Sequence, residues 1–239
     1  MTKHTPNVKR TEANNWYEVI PSKFIKQSHN PNFHNHKIKV PFRCICIGAS
    51  GSGKTNLLMD LLYRMNGTFN QILLVIPTSH ESLYNYLKDV FKDKPDQFHV
   101  YEDGSIPSPN DEIFEDKNSQ NLIIFDDMIC YKKAQSIIND YFIRSRKLGR
   151  NTSVIYLSQN YYSVPKIARN QATHIIIKKI SGNKDRAMIL REFSNDLTKE
   201  QFEQMYEECC ADFGGFIMVD FTCPLSEKYR KGFLEPISV

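Results

Sequence analysis

No stretch of this chain reaches the roughly 18 consecutive apolar residues that span a bilayer. Met1 to Arg10 also lacks the hydrophobic segment of a secretion signal. The expectation is a protein that stays where it is made, with no membrane partner. Metal-site spacing is missing as well. The six cysteines stand at 44, 46, 130, 209, 210 and 223. Neither the alternating pair Cys44 and Cys46 nor the adjacent pair Cys209 and Cys210 has zinc-finger spacing, so reduced, buried thiols are expected. His29, His34 and His36 lie close together but have no cysteines or carboxylates to complete a metal site. A strong charge of one sign is absent too. A net charge of +4 permits a polyanionic partner without requiring one. No internal repeat or low-complexity tract interrupts an ordinary globular composition.

What is present is an alternation. At 239 residues the chain favours one domain with appendages. Residues 1–40 are polar and punctuated by prolines, and read as an irregular N-terminal arm; residues 41–239 read as the folded domain. Phe42–Ile47 reads as a strand, followed by a glycine loop and by Leu57, Leu58, Leu61, Leu62 and Met65 at helical spacing. Gln71–Ile76 reads as a second buried strand. Glu81–Asp93 places Leu83, Tyr86, Leu87, Val90 and Phe91 on one helical face, and Phe98–Tyr101 suits a strand. Further strands are expected at Leu122–Phe125, Val154–Leu157, His174–Ile177 and Phe216–Phe221, with helices around Ile137–Phe142 and Asp185–Phe193. Thr198 and Gln201 have capping-box spacing ahead of a last helix. Continuously apolar strands alternating with helices predict an α/β fold with a mainly parallel sheet covered on both faces.

Between the first strand and helix stands Gly48-Ala49-Ser50-Gly51-Ser52-Gly53-Lys54-Thr55. Its glycines let successive N–H groups turn inward as an anion nest, and the following helix adds its positive end. Lys54 reaches the β and γ phosphates of a triphosphate, and Thr55 offers a hydroxyl to Mg²⁺. At an average glycine frequency of roughly 7%, the bare pattern arises by chance in on the order of one chain of this size per hundred. Asp126 ends an apolar strand and can hold Mg²⁺ at the phosphate edge of the sheet, as in a Walker B strand. Asp127 beside it can activate the attacking water or, more plainly, cap a helix. Gln159 follows the strand Val154–Leu157 and reaches the same water if that strand neighbours Asp126. Arg144, Arg146, Lys147 and Arg150 cluster at a helix end, where cations ordinarily meet the macrodipole.

The combination of the glycine loop, Ile123-Ile124-Phe125-Asp126-Asp127, Arg146-Lys147-Leu148-Gly149 and Ser153 to Gln159 resembles the FtsK-HerA superfamily of P-loop translocases. Within it, Ser158-Gln159-Asn160-Tyr161-Tyr162 and Val164-Pro165-Lys166-Ile167-Ala168-Arg169 look most like the poxvirus-type genome-packaging ATPases of large DNA viruses and virophages. The likeness runs from about Phe42 to Lys178, with a fainter echo at Lys228-Tyr229-Arg230-Lys231.

The resemblance implies a RecA/ASCE-like P-loop NTPase that uses ATP and Mg²⁺. It implies Gly48 to Thr55 for nucleotide binding, Thr55 and Asp126 for the metal, and Lys54, Asp127 and Gln159 for catalysis. Arg146 is implied as the finger acting on a neighbouring subunit, with Arg144 and Arg150 as competing registers. Many relatives carry glutamate after the Walker B aspartate, so Asp127 is one methylene shorter. The activity implied is ATP hydrolysis at subunit interfaces of a hexameric or pentameric ring. That ring would drive double-stranded DNA, without reading its sequence, into a capsid. Viral capsid proteins are further expected partners, and the host-cell cytoplasm, a viral factory or the virion is the expected location. Lys132, Lys133 and Lys179 either track phosphates in the pore or form solvated surface. Two other classes share the loop: a small-molecule, nucleoside-type kinase, and a nucleotide-gated assembly module without turnover.

Overall fold

Nine strands join into one sheet in the order β3-β2-β4-β5-β1-β6-β7-β8-β9. The computed structural model describes residues 13–78, 81–193 and 197–238; residues 1–12 of the expected arm lie outside them. Along the chain the elements are α1 (Trp16–Val19), β1 (Arg43–Ile47), α2 (Lys54–Arg64), β2 (Gln71–Val75), α3 (Ser82–Val90) and β3 (Phe98–Tyr101). They continue with β4 (Gln120–Asp126), α4 (Ala134–Arg144), β5 (Asn151–Ser158), α5 (Lys166–Gln171), β6 (His174–Ile177) and α6 (Asn183–Phe193). The chain then forms α7 (Lys199–Cys210), β7 (Ile217–Asp220), α8 (Leu225–Lys228), β8 (Tyr229–Lys231) and β9 (Glu235–Pro236). Pairings from β3 through β6 are parallel, whereas β7, β8 and β9 add an antiparallel edge.

The period-2 alternation of each strand divides the apolar residues between two faces. Ile45, Ile47, Ile123, Phe125, Val154 and Tyr156 face a core closed by side chains of α4, α5, α6 and α7. Cys44, Cys46, Leu122, Ile124, Ile155 and Leu157 face the opposite core, closed by α2 and α3. Helices therefore cover both faces of a mainly parallel sheet. The α7 start uses its capping box: Thr198 Oγ1 accepts from the Gln201 N–H at 3.2 Å, and Gln201 Oε1 accepts from the Thr198 N–H at 2.8 Å.

Three expectations need correction. Helix α3 is rotated from its predicted face: Tyr84 and Leu87 are buried, while Tyr86 and Val90 are exposed. Its phase is set by Tyr84 reaching inward to a carboxylate rather than by the most apolar arc. Cys130 is exposed, in a short turn beyond β4, and Cys223 is half-buried, so the thiols are not uniformly buried. Strands β8 and β9 and helix α5 went unread, because each is short and the strands are defined by pairing, β8 on β7 and β9 on β8, rather than by local pattern.

Between residues 13 and 40 the described chain has only α1 and single 3-10 turns. It is nonetheless tied to the sheet. The His29 N–H donates to Gln120 Oε1 at 3.1 Å, and Gln120 Nε2 donates to the His29 carbonyl at 2.8 Å. His36 is a core side chain whose Nδ1 accepts from the Ile38 N–H at 3.1 Å, and burial lowers its pKa to about 4.

Candidate active site

The sequence motifs converge on one edge of the sheet, outside the carboxyl ends of four adjacent parallel strands, β4, β5, β1 and β6. In open α/β sheets this edge is where ligands sit. Strand β1 leads straight into the glycine loop. The loop is fastened on both sides: the Gly48 N–H donates to the Ser158 carbonyl at 3.2 Å, and the Ala49 N–H to the Lys179 carbonyl at 2.8 Å. Gly53 takes φ +83°, and a Cβ there would stand 2.8 Å from the Phe213 ring, so glycine is needed for conformation and for space. Helix α2 follows at Lys54 without any side-chain cap. Its first N–H groups are therefore left for an anion.

Within the loop, Lys54 Nζ donates to the carbonyls of Gly48 at 2.8 Å and Ala49 at 3.1 Å. The buried Ser52 hydroxyl makes no hydrogen bond to the described residues. A buried polar atom left this way is costly unless a ligand completes it.

Asp126 closes β4, two strands from β1. It accepts a hydrogen bond from the Tyr84 hydroxyl at 2.5 Å, and the Thr55 hydroxyl lies near the same phenol. Burial raises the Asp126 carboxyl above its usual range, against the Tyr84 hydrogen bond and the Lys54 ammonium. Sequence reasoning missed Tyr84. Its only signal was a tyrosine on an amphipathic helix, which reads as core.

Asp127 takes the left-handed conformation, φ 50° and ψ 37°, at the start of the turn Met128–Cys130. Its side chain caps nothing there. Instead, Gln159 Nε2 donates to Asp127 Oδ2 at 2.7 Å. The contact exists because β5 lies beside β4, with Asp126 opposite Leu157.

A second unread residue is Lys178, at the end of β6. It is almost wholly buried, and its Nζ donates to the carbonyls of Phe213 at 2.9 Å and Gly215 at 3.3 Å. Burial lowers its pKa, with Lys54 a further, smaller cause. Lys132, Lys133 and Lys179 are exposed.

Arg146 does not join the others. It is exposed in the turn Ser145–Lys147, ahead of β5, and close enough to Arg43 at the start of β1 to lower that arginine's pKa, after burial. This is the opposite edge of the sheet, roughly 25 Å from Gln159 by the length of an eight-residue strand. Its neighbour Arg144 is tied to Asp140 at 3.4 Å and to Asn110 at 2.7 Å.

The family described as Poxvirus A32 protein matches residues 31–207, about three quarters of the chain and all of the site edge from the glycine loop to Lys178. The chain belongs to the poxvirus A32 family. It is 27% identical over 151 residues to the DNA packaging protein OPG160 of Variola virus and to that of Vaccinia virus, strain Copenhagen. Those matches cover 60% of this chain and 55% of the relative, so the chain spans about half the length of the poxvirus relatives it matches. Among solved structures, it is similar to the genome packaging NTPase B204 from Sulfolobus turreted icosahedral virus 2 in complex with ATPγS. That match has TM-score 0.53 and 19% identity, covering 84% of this chain and all of the other. The cytoplasmic domain of the type VII secretion ATPase EccC from Thermomonospora curvata matches with TM-score 0.52 and 13% identity, over 82% of this chain and 26% of that one. At these identities the structural matches establish the fold, a P-loop ATPase sheet with helices.

Proposed function

We propose that this A32-family chain hydrolyses ATP and uses the energy to drive double-stranded DNA into a viral capsid. One observation carries hydrolysis in particular: Asp127 and Gln159 are hydrogen-bonded to each other at 2.7 Å, beside the strand end that bears Asp126. A carboxylate held by an amide next to a phosphate loop is suited to orienting a water and accepting its proton. Packaging is supported by the relatives, which are named DNA packaging proteins, and by the B204 neighbour, a genome packaging NTPase solved with an ATP analogue.

The donor set fits a magnesium nucleotide. The Thr55 hydroxyl and the Asp126 carboxylate converge on one phenol, giving two hard oxygens where Mg²⁺ would sit, and the metal would neutralise charge on the phosphates. Lys54, which now donates to loop carbonyls, and the unpartnered Ser52 hydroxyl belong to the phosphate cradle of Gly48 to Thr55. In this reading Asp127 is the base, Gln159 orients the water, and Thr55 and Asp126 hold the metal.

Arg146, exposed at the far edge and out of reach of its own site, acts on the phosphates of a neighbouring copy, so the working form is a homo-oligomeric ring. Exposed Lys132, Lys133 and Lys179 face the duplex through its phosphates, independent of sequence. The reading places residues 41–239 as the motor domain and residues 1–40 as an appended arm, working in an infected cell's cytoplasm or viral factory with capsid proteins as partners.

The test follows the γ-phosphate of labelled ATP, with and without duplex DNA and with candidate nucleosides present. The proposal expects transfer to water, stimulated by DNA and lost in Lys54→Ala. Transfer to a nucleoside, indifferent to DNA, would place the chain among the kinases instead.

A further inference from the structure

The phosphate loop has an unequal neighbourhood. The groups placed at the γ-phosphate end, Asp127 and Gln159, come from β4 and β5, on one side of β1. A nucleotide lying along the loop with its γ end there must direct its α-phosphate and nucleoside toward the other side, past β6. What flanks the loop on that side is the segment between α7 and β7. Phe213 in this segment lies against Gly53 so closely that a Cβ on the glycine would stand 2.8 Å from the ring's Cζ.

Phe213 is 64% exposed. Like several other large apolar side chains of this protein, the phenyl is left in water with area still to bury; what sets it apart is its contact with the phosphate loop. Its position is nevertheless fixed. The buried Lys178 ammonium donates to the Phe213 carbonyl at 2.9 Å and to the Gly215 carbonyl at 3.3 Å, and lies 5.9 Å from the Phe213 ring centroid. A cavity of about 500 Å³ opens next to this segment, lined by Lys178, Gly214 and Phe216 and, across α2, by Asn56, Tyr63 and Tyr86, with the Phe213 ring outside its lining. That volume is within the range of small-ligand sites. An exposed aromatic face, anchored through its backbone, beside a cavity and in contact with the phosphate loop, is what a nucleobase stacks on.

We propose that Phe213 is the base-stacking residue of the nucleotide site, with Lys178 as the residue that positions it. The inference rests on the nucleotide reading above and adds where the nucleoside goes. Stacking engages the flat face shared by every base, so it contributes affinity for the nucleoside without fixing which base is bound. Phe213 touches no phosphate in this arrangement, and its removal should leave recognition of the phosphate chain intact.

The test measures the affinity of the full chain for ATP and for inorganic tripolyphosphate, each with Mg²⁺, in the wild type and in Phe213→Ala and Phe213→Tyr. The expected result is ATP binding weakened about tenfold in Phe213→Ala, with tripolyphosphate binding unchanged and ATP binding retained in Phe213→Tyr. Equal losses for ATP and tripolyphosphate would overturn the inference, because Phe213 would then be a prop for the loop. Unchanged ATP binding in Phe213→Ala would overturn it as well. Wild-type binding to neither compound would overturn the phosphate-site reading itself, and this inference with it. The tripolyphosphate arm separates the two failures.

Discussion

Asp127 sits in a backbone conformation that non-glycine residues seldom enter, and aspartate is one of the few that tolerate it. The turn swings its short side chain toward Gln159, so a carboxylate one methylene shorter than glutamate still meets its partner at 2.7 Å. Asp127→Asn should lower the rate of phosphate release by about 10²- to 10⁴-fold while leaving ATP affinity within a few-fold. Release and equilibrium binding measured on the same preparation check both halves; a fall in affinity as large as the fall in rate would make Asp127 a binding group. Asp126, Asp127 and Gln159 were legible in the sequence because each directly follows an apolar strand, which fixes the sheet edge it reaches. Tyr84 was not. Its hydroxyl meets Asp126 only because α3 turns that residue inward over β4, a phase that depends on the packed sheet.

At the scale of elements, the parallel half of the sheet was legible for a physical reason: strands buried on both faces carry continuous apolar runs, as at Cys44–Ile47, Ile72–Val75, Leu122–Phe125 and Val154–Leu157. Of the antiparallel edge only β7 was legible, as the apolar run Phe216–Phe221; β8 and β9 were not, because what holds this edge is a polar cluster assembled from three strands. Asp220 of β7 stands opposite His174 of β6, with its Oδ2 3.3 Å from His174 Nε2 and 3.2 Å from Arg230 Nη2 of β8. Its Oδ1 accepts from the Thr222 N–H at 2.8 Å and hydroxyl at 2.7 Å. Burial alone would raise the Asp220 carboxyl; His174 and Thr222 outweigh it and hold the pKa well below the usual carboxylate range. The folded state therefore binds this proton more weakly than the unfolded chain. The stability it contributes is full above a pH of about 4, and is lost as pH falls toward the depressed value. Asp220→Asn should destabilise the fold at neutral pH by about 3 kcal/mol, since it leaves the buried Arg230 without its carboxylate. The gap should narrow at about pH 3. Denaturant midpoints at the two pH values measure this, and a gap that is constant or widens in acid would contradict it.

For the whole molecule, the separation of Arg146 from the other proposed catalytic groups carries the most consequence. It stands at the opposite end of the sheet, exposed, while Arg144 is held by Asp140 and Asn110. In the proposed reading a guanidinium there would serve a phosphate only across an interface, which would make the P-loop edge of one copy half of a shared site. Mixing Arg146→Ala chains with Asp127→Asn chains should restore hydrolysis at intermediate ratios, because some interfaces then pair an intact base with an intact arginine. No recovery at any ratio would count against an arginine acting in trans. The sequence alone carried the arginine as one of several in a helix-end cluster, and its distance from Gln159 became visible only with the strand between them.

The central claim is that hydrolysis moves DNA, and displacement of a third-strand oligonucleotide from duplex DNA reads that movement directly. With the wild-type chain and hydrolysable ATP, the third strand should leave faster than it does without protein. It should stay in place with a non-hydrolysable analogue or with Asp127→Asn. Brisk, DNA-stimulated hydrolysis by the wild type with the third strand leaving no faster than in the protein-free control would contradict the account.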